Sequence, residues 1–485
     1  MGNVTGRMHL SAGGAGPSLA EQFVRMSFAD AGFAPHILAA YRRLHAEANT
    51  VLDDAGVPGD GRRAWVVPGR IEVLGKHVDY AGGRSLLCTV QRGIVVIARV
   101  RDDGALVLRD ARRREALSLE PGVAQKGSLP WSVYPRTVLN RLHLNFGDMV
   151  RGADIALASN LPPAAGVSSS SALTVGLTLA IASLSDLPSH PAWQRTIPDR
   201  TSLAGYVGAL ENGIAFRDLP GEQGVGTMGG AQDQTAILCC APGRLDVFGW
   251  SPVRHERTVP WIPGFSFVIG VSGVVAAKTG AARERYNRAA RTAHRLVDAW
   301  NRHAKQQAHV TPGEAPARSL AEAFAQAAGT DRPARVPPEL LAAATAAADA
   351  EFSAVHLERR LHQFFDESYR LVPAAADALA RHAIAEFGEI VADSQRGAER
   401  ALENQIPETI AMVRLARDGG AAAASAFGAG FGGSVWAMVR TGEADAFTSR
   451  WREQYAAAYR GPSRRSQYFV TEPGAPAFEL LLNTA

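Results

Sequence analysis

Four segments of this chain carry side chains whose types and spacing could handle a charged ligand. Residues 68–83 read Pro-Gly-Arg-Ile-Glu-Val-Leu-Gly-Lys-His-Val-Asp-Tyr-Ala-Gly-Gly and bring Arg70, Glu72, Lys76, His77 and Asp79 into one short stretch. Residues 161–172, Leu-Pro-Pro-Ala-Ala-Gly-Val-Ser-Ser-Ser-Ser-Ala, place Gly166 and Ser168, Ser169, Ser170 and Ser171 ahead of an apolar run. That is the start of a helix, whose free backbone N–H groups and positive dipole end suit an anion such as a phosphate. The serine hydroxyls add donors or a metal ligand. Residues 425–434, Ser-Ala-Phe-Gly-Ala-Gly-Phe-Gly-Gly-Ser, form a third loop, and Asp233 sits in Gly-Gly-Ala-Gln-Asp-Gln-Thr-Ala at 229–236. Each alone has an ordinary explanation: a strand and turn, a capped core helix, a turn aspartate.

The elements that must position these residues are legible in outline. Val66, Val67, Ile71, Val73 and Leu74 read as a strand, and Gly75 lets the chain turn so that Lys76, His77 and Asp79 project from one loop. Residues 419–439 contain no charge and are long enough for a membrane span, but four glycines between 428 and 433 would break a helix there. A loop followed by a buried strand is the better reading. Ala-rich stretches at 281–300, 320–329 and 339–365 read as amphipathic helices joined by linkers around 310–317 and 329–338. At 485 residues the chain is long for one core and suggests two domains.

Composition excludes more than it selects. A net charge of +4 without a dense basic run interleaved with aromatics argues against a nucleic-acid partner and for an anionic nucleotide. The three cysteines, Cys88, Cys239 and Cys240, show neither metal spacing nor a disulfide framework, which suits a reducing cytoplasm. Residues 1–17 lack the apolar core of a secretory signal, and residues 1–20 are expected to be a disordered tail.

In order and separation these motifs resemble the GHMP small-molecule kinases, on their galactokinase-like branch, whose sugar signature runs Gly-Arg-x-Asn-x-Ile-Gly-Glu-His-x-Asp-Tyr-x-Gly-Gly. The resemblance covers roughly residues 30–480. It implies a two-domain α/β (α+β) fold, with the site in the cleft between the domains. The N-terminal domain would be ribosomal-S5-like, over 21–250. The C-terminal domain would be ferredoxin-like, over 251–485, with a helical insertion at about 295–365. It implies ATP and Mg²⁺ as cofactors, with no membrane or nucleic-acid partner. By the same resemblance Asp233 accepts the proton of the sugar hydroxyl, and Arg70 holds Asp233 ionised and steadies the transferring group; a neighbouring cation lowers a carboxyl pKa by about 1–3 units. His77, Asp79 and Tyr286 would face the sugar. Gly166, Ser168 to Ser171, Gly430, Gly432 and Gly433 would approach the phosphates, with Trp131 near the base. Ser169 or Ser170, together with Glu211, would hold the metal, although Glu211 precedes Asp233 by more residues than the pattern has, because of an extra stretch at 217–226.

Two positions depart from the pattern: Glu72 replaces Asn and Lys76 replaces Glu. The chain has only four lysines among 51 basic residues, Lys76 and Lys278 among them, so a lysine here is a specific choice. The expected activity is phosphorylation of the anomeric (C1) hydroxyl of a monosaccharide, with Lys76, together with Lys278 near Tyr286, reading the carboxylate of an anionic sugar such as galacturonate. In the competing reading Glu72 and Lys76 form an internal ion pair and the sugar is neutral, such as galactose, arabinose or an amino sugar. A non-catalytic sensor on a kinase scaffold is the third.

Overall fold

The computed structural model describes residues 22–113, 116–122, 130–275, 280–306 and 315–481. The expected tail at 1–20, Lys278 and most of the 310–317 linker lie outside them.

Alternation along two long strands divides the N-terminal half into two cores. In the strand Arg63–Leu74, Trp65, Val67, Ile71 and Val73 face one side while Ala64 and Val66 face the other. In its antiparallel neighbour Arg84–Arg101, Ile94, Val96 and Ala98 oppose Val95 and Ile97 in the same way. Helices Val133–Phe146, Ser169–Leu184 and Arg200–Asn212 cover the first side. Helix Pro35–Asp54 covers the second; it opens on proline and buries Ile37, Tyr41, Leu44, Ala48 and Leu52, three or four residues apart. The larger aliphatic ones, Ile37, Leu44 and Leu52, each contribute about 1.5–3 kcal/mol on leaving water. With both faces covered, every residue from Ala64 to Leu74 is buried, which carries Arg70 and Glu72 into the interior and obliges each to find partners.

The sheet is nine-stranded among the described residues. Strand Arg244–Gly249 pairs with Arg84–Arg101, and Arg254–Pro260 pairs with Arg244–Gly249, so the first sheet continues past the boundary expected near 250. The chain also returns to it: Phe478–Leu480 lies between Arg25–Met26 and Arg63–Leu74, fastened by Arg63 Nε donating to Glu479 Oε1 at 2.7 Å. The changeover between sheets therefore falls between Pro260 and Phe265, and the C-terminal strand sides with the N-terminal unit.

The second sheet is four-stranded and antiparallel, in the order Ala423–Phe427, Ser434–Arg440, Phe265–Val271 and Gln467–Thr471. The uncharged 419–439 stretch resolves into two of these strands and the loop between them. No helix of the described residues is long and apolar enough to cross a membrane. Helices Gly280–Gln306, Leu320–Ala328, Pro338–Ala346 and Ala354–Phe365 enclose a separate core that also takes in Val78 and Ala81 from the loop after the Arg63–Leu74 strand. This helical block begins at Gly280, ahead of the expected 295, because the first helix runs unbroken through Ala290, Ala293, Leu296 and Trp300.

Candidate active site

The loops after the Arg63–Leu74 strand, before the Ser169–Leu184 helix and between strands Ala423–Phe427 and Ser434–Arg440 meet around one cavity of about 320 Å³. Arg70 and Asp233 lie on its floor. Arg70 donates from Nε to Asp233 Oδ1 at 2.8 Å and approaches the same oxygen with Nη2 at 2.7 Å. Its Nη1 donates to the Gly166 carbonyl at 2.6 Å, and its guanidinium lies 5.9 Å from the Phe427 ring centroid. Ser171 Oγ donates to the other Asp233 oxygen, Oδ2, at 3.3 Å. Arg70 is thus the point at which the strand, the serine loop, the aspartate helix Gln232–Cys239 and the glycine-rich loop converge.

His77 and Asp79 line the cavity, as does Tyr286 from the long helix. His77 has a φ of 57°, and both ring nitrogens are engaged: Nε2 lies 3.1 Å from the Ala429 carbonyl and Nδ1 3.0 Å from the Tyr80 hydroxyl. A carbonyl can only accept, so Nε2 carries the proton and Nδ1 accepts from Tyr80. His77 therefore ties the signature loop to the glycine-rich loop. Asp79 presses against Gly230, where an added Cβ would stand 2.4 Å from its Oδ2. Burial, ahead of the nearby Asp79, holds the Tyr286 hydroxyl well above its usual pKa. Asn287 fixes the neighbouring segment, accepting from Met228 N at 2.9 Å and donating to the Gly226 carbonyl at 3.1 Å.

Lys76 is placed differently from the sequence expectation. It is 1% exposed, does not line the cavity, and donates from Nζ to Ser394 Oγ at 2.8 Å. Ser394 in turn donates to Glu367 Oε1 at 2.5 Å, while Glu367 Oε2 accepts from Gly75 N at 2.9 Å. The positive φ of Gly75, 102°, turns the loop so that this ammonium points behind the site. A substrate carboxylate is out of its reach. The alternative ion pair with Glu72 is also not formed as a direct contact, since Lys76 is held by Ser394 and Glu72 by Gln232, whose Nε2 donates to Glu72 Oε2 at 2.5 Å. Glu72 does line the cavity; burial pushes its carboxyl up to about 7 against the pull of Lys76 and Arg70. Lys76→Met is accordingly expected to leave sugar preference unchanged and to cost about 1–3 kcal/mol of stability by stranding the Ser394 and Glu367 groups. Urea unfolding beside a sugar panel checks both halves; a changed preference would mean that the ammonium reaches the sugar.

On the opposite side, Ser168, Ser169, Ser170 and Gly166 line the cavity, and Ser168 adopts φ 61° with its buried Oγ lacking a partner. Ser171 and Gly433 do not line it. Ser171 is the third residue of the helix, facing Asp233, and Gly433 spends its backbone on Val274, donating N–H to that carbonyl at 3.0 Å. Gly430 and Gly432 do face the cavity; at Gly430, with φ 77°, an added Cβ would stand 2.3 Å from the Asn404 carbonyl. Ser434 Oγ hydrogen-bonds the Ala165 carbonyl, clamping this loop to the serine loop. Trp131 and Tyr134 close the far end, with the Arg113 guanidinium 5.2 Å from the Trp131 centroid.

Glu211 remains in the cavity wall despite the extra 217–226 stretch. That stretch folds back on the end of helix Arg200–Asn212, where Val225 N donates to the Glu211 carbonyl at 2.8 Å and Gly224 packs against Asn212. Thr174 Oγ1 donates to Glu211 Oε1 at 2.5 Å. Sequence reasoning passed over Gln232, Asn212, Thr227 and Asp110, all of which line the cavity. Only Gln232 carried a signal: the stretch Gly230-Ala-Gln-Asp-Gln234 resembles the family's Gly-x-Met-Asp-Gln, and Gln232 stands at its methionine.

The comparisons with known proteins fall on these same segments. The model of the GHMP kinases N terminal domain matches residues 133–213, that of the GHMP kinases C terminal matches 375–457, and the galactokinase galactose-binding signature matches 56–100. By these matches the chain resembles the GHMP kinases, on their galactokinase-like branch. It is 28% identical over 400 residues to a galactokinase of Streptomyces coelicolor, covering 81% of this chain and 89% of that one. It is 26% identical over 396 residues to a galactokinase of Pasteurella multocida, covering 80% and 88%. The crystal structure of Lactococcus lactis galactokinase complexed with galactose superposes with a TM-score of 0.71 at 21% identity, over 90% of this chain and all of that one, and shares the fold. These likenesses support a galactokinase-like sugar kinase, a family that implies use of ATP.

Proposed function

We propose that the protein transfers the γ-phosphoryl group of ATP to the anomeric (C1) hydroxyl of a neutral monosaccharide of the galactose type. The observation that carries this is the buried Arg70–Asp233 pair, set on the floor of a single cavity between the serine loop and the sugar-signature loop. Phosphoryl transfer asks a protein chiefly for in-line positioning and charge neutralisation. Asp233, fixed at one oxygen by two guanidinium N–H groups and at the other by Ser171, is an acceptor of defined direction for the hydroxyl proton. The start of helix Ser169–Leu184 offers N–H groups and hydroxyls to the phosphates. Tyr134 and Trp131 bracket the far end, where a nucleotide base would stack.

The donor set suits Mg²⁺, a hard cation usually bound by one or two side-chain oxygens plus phosphate. Ser170 and Glu211 would supply those oxygens, and the orphaned Ser168 hydroxyl marks a site still short of a partner. When bound, the ion neutralises charge on the β- and γ-phosphates.

A neutral sugar is favoured over a uronate because the carboxyl group of Glu72 lines the cavity while the ammonium of Lys76 is turned behind it. ADP release with Mg-ATP across galactose, glucose, arabinose, N-acetylgalactosamine, galacturonate and glucuronate tests this. Turnover is expected with a neutral sugar and not with either uronate; preference for a uronate overturns it.

A further inference from the structure

A one-way chain of hydrogen bonds runs through the interior to the cavity. Trp250 Nε1, which can only donate, reaches Ser85 Oγ at 3.1 Å. Ser85 Oγ donates onward to Gln232 Oε1 at 2.7 Å. The Gln232 carbonyl oxygen is thereby turned to Ser85 and its amide NH₂ to Glu72, where Nε2 meets Oε2 at 2.5 Å. All four residues are buried, Ser85 at 0% and Glu72 at 2% exposure. The chain stops at Glu72 Oε1, which is buried, has no partner, and belongs to a residue that lines the cavity.

A buried carboxylate oxygen without a donor carries its full desolvation cost. With Glu72 ionised, the group that relieves it comes from the cavity and donates. We infer that Glu72 is a specificity-determining residue, whose Oε1 accepts a hydrogen bond from a hydroxyl of the neutral sugar. The inference rests on the sugar-kinase reading above. It also joins the two departures of this chain from its family: a carboxylate has moved from position 76 on the loop to position 72 on the strand. Gln232, itself in place of methionine, is the residue that aims it.

The relay makes Glu72→Gln an informative change. Gln232 Nε2 requires an acceptor, so the new amide turns its oxygen there and presents NH₂ to the cavity, reversing the polarity of one atom at constant volume. The test uses the full chain with Mg-ATP and the best neutral sugar of the panel. Each hydroxyl except the anomeric one is replaced in turn by fluorine, which cannot donate. For the wild type, one fluorinated sugar is expected to fall by about 30-fold in kcat/KM, the scale of one hydrogen bond to a charged group. In Glu72→Gln the hydroxyl can only accept from the new NH₂, a neutral bond in place of one to a charged group, so the parent sugar is expected to fall by about 10-fold and the gap between parent and analogue to narrow. Glu72→Asn, the residue of the family pattern, is the second variant and is expected to narrow the same gap; thermal unfolding confirms that each variant is folded. A folded variant that keeps the wild-type discrimination, or a wild type indifferent to every fluorine, overturns the inference while leaving the kinase reading intact. A wild type that releases ADP with no sugar overturns both.

Discussion

Asp233→Asn is expected to lower kcat by about 10²–10⁴-fold, the range over which a positioned acid or base acts, with little change in KM for sugar or ATP. Asparagine keeps the shape of the side chain, and its carbonyl oxygen can still accept from the Nε and Nη2 groups of Arg70, which lie 2.8 and 2.7 Å from Oδ1 in the native protein. The amide NH₂ then occupies the position of Oδ2, where it can neither take a proton nor accept from Ser171. Binding surfaces contributed by the serine loop, the signature loop and Tyr286 are untouched, so the loss falls on the chemical step. Steady-state ADP release at saturating sugar separates the two constants. An Asn variant that retains most of its kcat would remove Asp233 from the proton's path and leave it a purely structural partner of Arg70.

Arg70→Ala should be the most damaging single change to stability. The guanidinium serves Asp233 and the Gly166 carbonyl at once, and its side chain is 4% exposed. Its removal leaves a largely buried carboxylate without its cation, a mechanism worth about 3–5 kcal/mol. The double variant Arg70→Ala/Asp233→Asn carries no stranded charge. It is expected to recover part of that stability and none of the activity, giving a clear non-additivity in a urea-unfolding cycle. If the two changes add, the pair is not what holds these loops together and the damage must come from the lost Gly166 contact.

The serine-run and glycine-rich segments were readable in the sequence because each is local. A serine run before an apolar helix, or a glycine cluster too dense for a helix, specifies its own backbone, and the structure realises both as loops that meet at one cavity. The orientation of Lys76 was not readable. Its neighbours in space, Ser394 and Glu367, lie 318 and, through Gly75, 292 residues away, and no local pattern announces that a lysine will turn towards them. Glu72 was visible as a departure from the family and Gln232 was passed over; their pairing spans 160 residues and became evident only once strand and helix were packed. The same distance effect explains why Gly433 was grouped with Gly430 and Gly432, although its N–H is committed to Val274. Spacing identifies a loop; it does not say which backbone groups remain available.

The return of Phe478–Leu480 to the first sheet bears on how the protein is made. Arg63 and Glu479 lie 416 residues apart, and until the later one leaves the ribosome the strand that bears Arg70 has only one neighbour. An unpaired strand edge is open to pairing with other chains, and contacts of long sequence separation form late. The Ala64–Val66 end of this strand in a nascent chain is therefore an exposed edge until the segment around Glu479 has been made, so the sheet that carries Arg70 is closed on that side only by a contact of very long sequence separation.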